Sequence, residues 1–274
     1  MSTTLDLGDL GTFDFAALDT SDIVTFSTTM DFIDKIEASD LYVFESTQIS
    51  ALTTDEIPFF NEEKIRELTT EQFSYLTTQQ VVALTTEQFG WLYTNQFDTF
   101  GSEQLAVITT DQIQGITTEQ IALLSTDDIT TLTNDQISVL VAGEDEERNQ
   151  IRSFATSQVQ ALLTEQIGSL RTDQLAAFTT EQIKYLETED ITILSTNQIN
   201  SITTEQIEYF KTNQIAALTT LQLVNFTTDQ IFALPTQKIY ALETDDLQVL
   251  SNTQLTTFTT EHLITFATSQ IKEL

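Results

Sequence analysis

One eight-residue phrase runs through almost the whole chain. "TTEQIALLSTDDITTLTNDQISVL", from Thr117 to Leu140, states it three times. With Thr117 as position 1 and Leu124 as position 8, the register holds over residues 3–26, 29–140 and 147–274, giving 33 octads. Only Ser27–Thr28 and residues 141–146 interrupt it. Position 5 is Ile, Leu, Val or Phe in all 33 octads, and position 8 is Leu, Ile or Phe in all 33. A period this strict makes the repeat the unit of the fold.

Few structures accept eight residues. In one uninterrupted α-helix an octad turns through about 800°, so the apolar stripe slips roughly 80° per repeat and soon faces every direction. A long coiled coil is excluded. In a strand, positions 5 and 8 point to opposite faces. A β-solenoid is the alternative that the Thr and Ile content favours, although 7 glycines in 274 residues supply few tight turns.

One short helix per octad accounts for more of the pattern. Position 1 is often Thr or Ser, and position 4 is Gln in 21 of 33 octads. Thr-x-x-Gln is a capping box, in which the hydroxyl accepts from the amide three residues on and the Gln side chain reaches back. Such a cap stabilises by about 1 kcal/mol. Positions 5 and 8 then share a helical face. Position 3 is acidic in 18 of 33 octads and never basic, as the helix dipole favours. Arg66, Arg152, Lys184 and Lys272 fall at position 6, later in the helix. The predicted fold is an all-α superhelical solenoid of capped miniature helices. None is stable alone, so stability should grow with repeat number and the outline should be a rod. Two arms are expected, residues 1–140 and 147–274, joined by an acidic bend at 141–146 around Gly143.

Departures from the pattern are the candidates for function. Early octads, including the atypical 3–26 and the insertion at 27–28, place Asp6, Asp14, Asp22, Phe32 and Asp40 at position 4. Aspartate looks too short to reach back as Gln does, so these read as an N-terminal cap or a docking end. Glu144, Asp145, Glu146 and Glu147 form a weak candidate cation site whose spacing fits no EF-hand loop. Paired acids at positions 3 and 4 (Asp55–Glu56, Asp127–Asp128, Glu189–Asp190, Asp245–Asp246) add a weak expectation of Ca²⁺. His262 replaces Gln at position 4 and can take over its hydrogen bonds. Trp91, Tyr75, Tyr185 and Tyr209, all at position 7, suggest flank packing. Pro235 at position 1 should cost little, whereas Pro58 at position 6 predicts distortion. Leu274 completes an octad, which suggests further octads or stacking on another copy.

The 42 acidic and 10 basic residues leave a net charge of −32, which disfavours nucleic acid and anionic membranes as partners. No cysteine is present, so disulfides and thiolate chemistry are excluded. A cleaved signal peptide is not expected, and no apolar run of about 18 residues suggests membrane insertion. One histidine, no phosphate-binding glycine loop, no G-x-S-x-G and no zinc spacing point to no catalytic residues and no bound cofactor. Runs such as "ALTTEQF", "ITTDQIQGITTEQIALLSTDDI" and "KTNQIAALTTLQL" resemble the L-T-T-x-Q-I octad arrays of very large, acidic bacterial surface and secreted proteins. That resemblance implies an extracellular or cell-surface spacer, adhesin stalk or scaffold, exported without a cleaved signal. The expected function is a non-catalytic structural or adhesive rod joining its own copies end to end, or other surface proteins. An intracellular, cytoplasmic scaffold binding a peptide is the alternative, and an acidic cation-binding surface protein the third.

Overall fold

The Thr pair that opens an octad opens a helix. In the computed structural model, helices Thr70–Ser74, Thr78–Ala83 and Thr86–Trp91 follow the N-caps Thr69, Thr77 and Thr85. Position 1 is extended (Thr77, φ −69°, ψ 158°), position 2 begins the helix, and position 8 is extended again (Leu84, φ −61°, ψ 139°). The turn therefore needs no left-handed residue, and none of the described residues has a positive φ. That is how a chain with 7 glycines makes so many reversals. The structure describes residues 15–29, 32–143, 145 and 147–272, so Asp6, Asp14, Glu144, Glu146 and Leu274 lie outside it. Among the described residues there is no strand, and the β-solenoid alternative fails. The fold is an all-α solenoid.

The described residues fall into two compact units, Met1–Leu123 and Leu124–Leu274. In the first, positions 5 and 8 fill the interior. Ile49, Leu52, Ile57, Phe60, Ile65, Leu68, Phe73, Leu76 and Leu84 surround one internal void of about 10 Å³, barely the space of a water molecule. Phenylalanines cluster there: Phe73, Phe89 and Phe97 each place a ring 5.8–6.2 Å from that of Phe100. In the second unit Ile and Leu dominate the same positions, from Ile129 and Leu132 to Leu247 and Leu250, all buried. Each such side chain contributes about 1.5–3 kcal/mol when removed from water.

Within each unit an octad lies on those three and four places earlier. Helix Glu62–Glu67 packs against Thr86–Trp91, three octads on, and Asn134–Ser138 against Thr164–Ser169 in the second unit. Side chains at position 6 reach the position 7 carbonyl three octads later, as Ser50 Oγ does to Tyr75 O (2.9 Å) and Arg66 Nε to Trp91 O (3.4 Å). The packing is tight enough that a Cβ on Gly115 would sit 2.2 Å from Thr86 O. One coil thus takes between three and four octads.

Both insertions leave this stacking intact. Ser27 and Thr28 are absorbed into a longer helix, Thr20–Thr29. The six residues 141–146, expected to separate two arms, lie inside the second unit. Val141 N–H donates to Gln150 Oε1 (2.7 Å) and Asn149 Nδ2 to Gly143 O (2.7 Å), which ties off the inserted segment. Both proline-containing octads form 3-10 rather than α-helical turns. Around Pro58 only the 3-10 helix Ile57–Phe59 forms. After Pro235 the chain makes a turn and the short 3-10 helix Ile239–Ala241, as the proline-free octad 179–186 does with Gln182–Tyr185. Among the described residues, the buried hydroxyls of Ser27 and Thr53 have no hydrogen-bond partner, and each sits at a departure from the repeat.

Candidate functional site

Position 4 is the most demanding site in the octad, because helices this short leave orphan donors at one end and orphan acceptors at the other. Gln88 meets both demands. Its Oε1 accepts the Thr85 N–H (2.8 Å), and its own N–H donates to Thr85 Oγ1 (3.1 Å). Its Nε2 then donates to the carbonyls of Ile57 (2.9 Å) and Phe60 (2.8 Å), positions 5 and 8 of the octad four places earlier. Gln72, Gln80 and Gln96 make the same two Nε2 bonds in the first unit, at 2.6–2.9 Å. Gln206, Gln214, Gln222 and Gln230 do so in the second, at 2.7–3.0 Å. One buried amide caps the start of its own helix and closes the end of another.

The ladder holds its register across the inserted residues. Its usual spans are 31 and 28 residues. Gln48, beyond the two-residue insertion, reaches Phe15 O and Leu18 O over 33 and 30. Gln166, beyond the six-residue insertion, reaches Ile129 O and Leu132 O over 37 and 34. The rung also forms where position 1 has no capping hydroxyl: Gln158, Gln166 and Gln104 accept the N–H groups of Ala155, Leu163 and Gly101 (2.7–2.9 Å). The rung thus depends on the position 4 side chain and not on the threonine.

Residues that replace Gln take over parts of its work. Lys64 Nζ donates to Ile33 O (2.7 Å) and Asp34 O (3.2 Å). Lys238 Nζ donates to Phe210 O (2.8 Å), in the octad whose position 1 is Pro235. Proline has no N–H to be accepted, so a side chain with donors alone suffices there. Glu56, an acceptor only, takes the N–H groups of Phe32 (3.2 Å) and Ile33 (2.8 Å). His262 comes nearest to Gln, meeting the cap and one of the two carbonyls: Nδ1 accepts Thr259 N–H (3.1 Å) and Nε2 lies 3.2 Å from Leu234 O. Both bonds require the neutral tautomer with its proton on Nε2, and burial lowers the ring's pKa below the usual 6.5.

Aspartate at position 4 corrects one expectation. Asp40, Asp128, Asp190 and Asp246 do reach back, accepting the N–H groups of Glu37, Ser125, Glu187 and Glu243 at 2.8–3.1 Å, and Asp22 accepts that of Asp19 at 3.2 Å. The shorter side chain spans the cap because the helix start brings the two residues together. What a carboxylate lacks is a donor for the coil below. Burial raises the carboxyl pKa values of Asp190 and Asp246 above the usual 3.8, against the lowering by the backbone N–H groups they accept.

In three of the four acidic pairs the position 4 member is thereby occupied as a cap, and in the fourth Glu56 holds the N–H groups of Phe32 and Ile33. Of the insertion's acids, Asp145 Oδ1 accepts Glu147 N–H (3.1 Å) and Asp145 O accepts Arg148 N–H (3.2 Å), as in a local turn. Among the described residues no group of three or more His, Cys, Asp or Glu is placed to hold a metal ion. The position 7 aromatics lie on the flank: Lys184 Nζ stands 4.8 Å above the Tyr209 ring, Lys211 Nζ 4.8 Å above that of Tyr185, and Tyr75 OH donates to Glu71 (2.5 Å). Trp91 is half-buried. Arg66 lies 5.2 Å from the Tyr93 ring beside a shallow hollow of about 590 Å³ with Glu62, Glu63 and Glu67.

The coil-to-coil role of position 4 was missed in the sequence. Its signal was the preference for Gln over Glu, which serves a capping box equally well but has no donor.

A family model described as the ALTTAQ repeat matches residues 183–220, which include the rungs of Gln198, Gln206 and Gln214. No curated protein matches the chain.

Proposed function

We propose that this repeat protein is a non-catalytic structural array, a spacer or adhesive stalk at or outside a bacterial surface, whose copies associate end to end. The observation that carries this reading is the position 4 ladder. Buried polar side chains commonly serve catalysis or binding, yet here they hold coil to coil, with both ends of the amide occupied. A rung contributes only about 0.5–1.5 kcal/mol per hydrogen bond, but opening one leaves buried carbonyls unsatisfied at about 1–3 kcal/mol each. A chain pulled from its ends must break such rungs in succession, which suits a load-bearing role. The bacterial surface setting is supported by the likeness to acidic octad arrays.

Stretching the whole chain between its termini tests this. Release should come in repeated steps of one coil, on the order of 10 nm each for some 30 residues at 3.3–3.6 Å apiece. Collapse of the chain in one event at low force would contradict the load-bearing reading. Sedimentation over a concentration series should show growth, and a constant mass would remove the end-to-end association.

A further inference from the structure

We propose that the second unit carries a docking surface for a basic amphipathic helix of another protein, centred on Phe232, Tyr240 and Ile264. All three occupy position 6, where most octads carry a small or polar residue. They are exposed by 59%, 53% and 77%. Sequence separates them, but stacking brings their octads together. The octad of Ile264 lies over the octad of Phe232, through His262 Nε2 at 3.2 Å from Leu234 O and a His262–Phe232 ring distance of 6.5 Å. It also lies over the octad of Tyr240, since helix Thr260–Thr265 packs on the 3-10 helix Ile239–Ala241. Exposed large apolar side chains gathered in this way mark interaction sites in soluble proteins.

Charge selects the occupant. Asp229 and Glu261 stand three residues before Phe232 and Ile264, hence on the same helical faces, and both are exposed. The only basic residue between 227 and 266 is Lys238, whose Nζ is held by Phe210 O. An apolar centre with an acidic rim fits a helix with a leucine-like stripe bordered by Lys or Arg. A second copy would bring its own position 3 acids against this acidic rim, and an anionic lipid surface is repelled by the net charge of −32. This surface does not depend on the load-bearing role, and its test is separate.

The test uses the full chain and a labelled synthetic 18-residue Lys/Leu amphipathic helix, read by fluorescence anisotropy. Saturable one-to-one binding is expected, weakened at least tenfold by Phe232→Ser with Ile264→Ser and unchanged by Val82→Ser, an exposed control in the first unit. Tyr240→Ser alone, and Glu261→Lys alone, should each weaken binding severalfold, which keeps the test decisive if the double variant loses its fold. Equal binding of a Lys/Ser peptide of the same charge, indifference to these substitutions, or preference for phosphatidylglycerol vesicles would each overturn the proposal.

Discussion

Two stretches of the first unit are built on one plan with different chemistry. From Gln72 to Gln120 position 4 is Gln in seven successive octads. From residue 29 to 68 the same position reads Phe32, Asp40, Gln48, Glu56 and Lys64. In the regular stretch one neutral amide satisfies a helix start and a helix end. In the irregular one the work is divided. The short helix Phe32–Lys35 has Glu56 on the N–H groups at its start and Lys64 on carbonyls near its end. That placement also suits the helix dipole, with an anion at the amino end and a cation at the carboxyl end. Phe32 brings no polar group of its own and fills the core beside Phe15, Phe26 and Phe44, with ring distances of 5.6–6.4 Å. The architecture requires satisfied helix ends; the residue type is secondary.

Breaking the divided arrangement should have the largest effect. Glu56→Ala strands two buried N–H groups and removes a buried charge, and should destabilise the first unit by about 3 kcal/mol or more in urea unfolding. Lys64→Gln, which restores the regular chemistry, should stay within about 1 kcal/mol. A large loss there would show that the two stretches are not equivalent.

In the regular stretch, Gln88→Glu keeps the acceptor for Thr85 N–H but turns a carboxylate toward the carbonyls of Ile57 and Phe60. A loss of roughly 2–3 kcal/mol at pH 7 is expected. A capping role alone would leave Gln88→Glu near neutral.

Asp246→Gln should go the other way. The folded state holds the Asp246 proton more tightly than the unfolded chain does, because burial raises its carboxyl above 3.8. Its contribution is therefore most favourable below pH 3.8 and is lost as pH rises through the folded value. At pH 7 the substitution should stabilise by roughly 1 kcal/mol, removing a buried charge and offering donors to the coil below. The gain should shrink as pH falls through the folded value toward 3.8. Equal melting shifts at pH 7 and pH 4 would refute this.

Thr85→Ala should have the smallest effect, about 1 kcal/mol or less, since it removes only the hydroxyl acceptor. Ala155 already stands at that position, and Gln158 still accepts its N–H (2.7 Å).

The period of eight, the paired apolar positions and the Thr and Gln caps were legible in the sequence because each is a local demand repeated many times. The helix starts and the buried interior followed from them. Contacts between octads three and four apart were not legible, since nothing within one octad states which other octad it meets. For the same reason Glu56 read only as half of an acidic pair, and Lys64 and Lys238 carried no signal of the carbonyls they meet in other octads. Lys238 becomes intelligible only beside Pro235, whose missing N–H removes the need for an acceptor. The apolar trio at Phe232, Tyr240 and Ile264 was hidden in the same way, spread over residues that only stacking unites.

The most direct test of the ladder is hydrogen exchange at the glutamine side-chain amides, observed by NMR in the intact chain. The NH₂ groups of Gln72, Gln80, Gln88 and Gln96 should exchange as slowly as the backbone amides of their own helices, and Gln88 Nε2 should show couplings across its hydrogen bonds to the Ile57 and Phe60 carbonyls. Exchange at the rate of a solvent-exposed glutamine, in a chain that remains helical, would contradict the account.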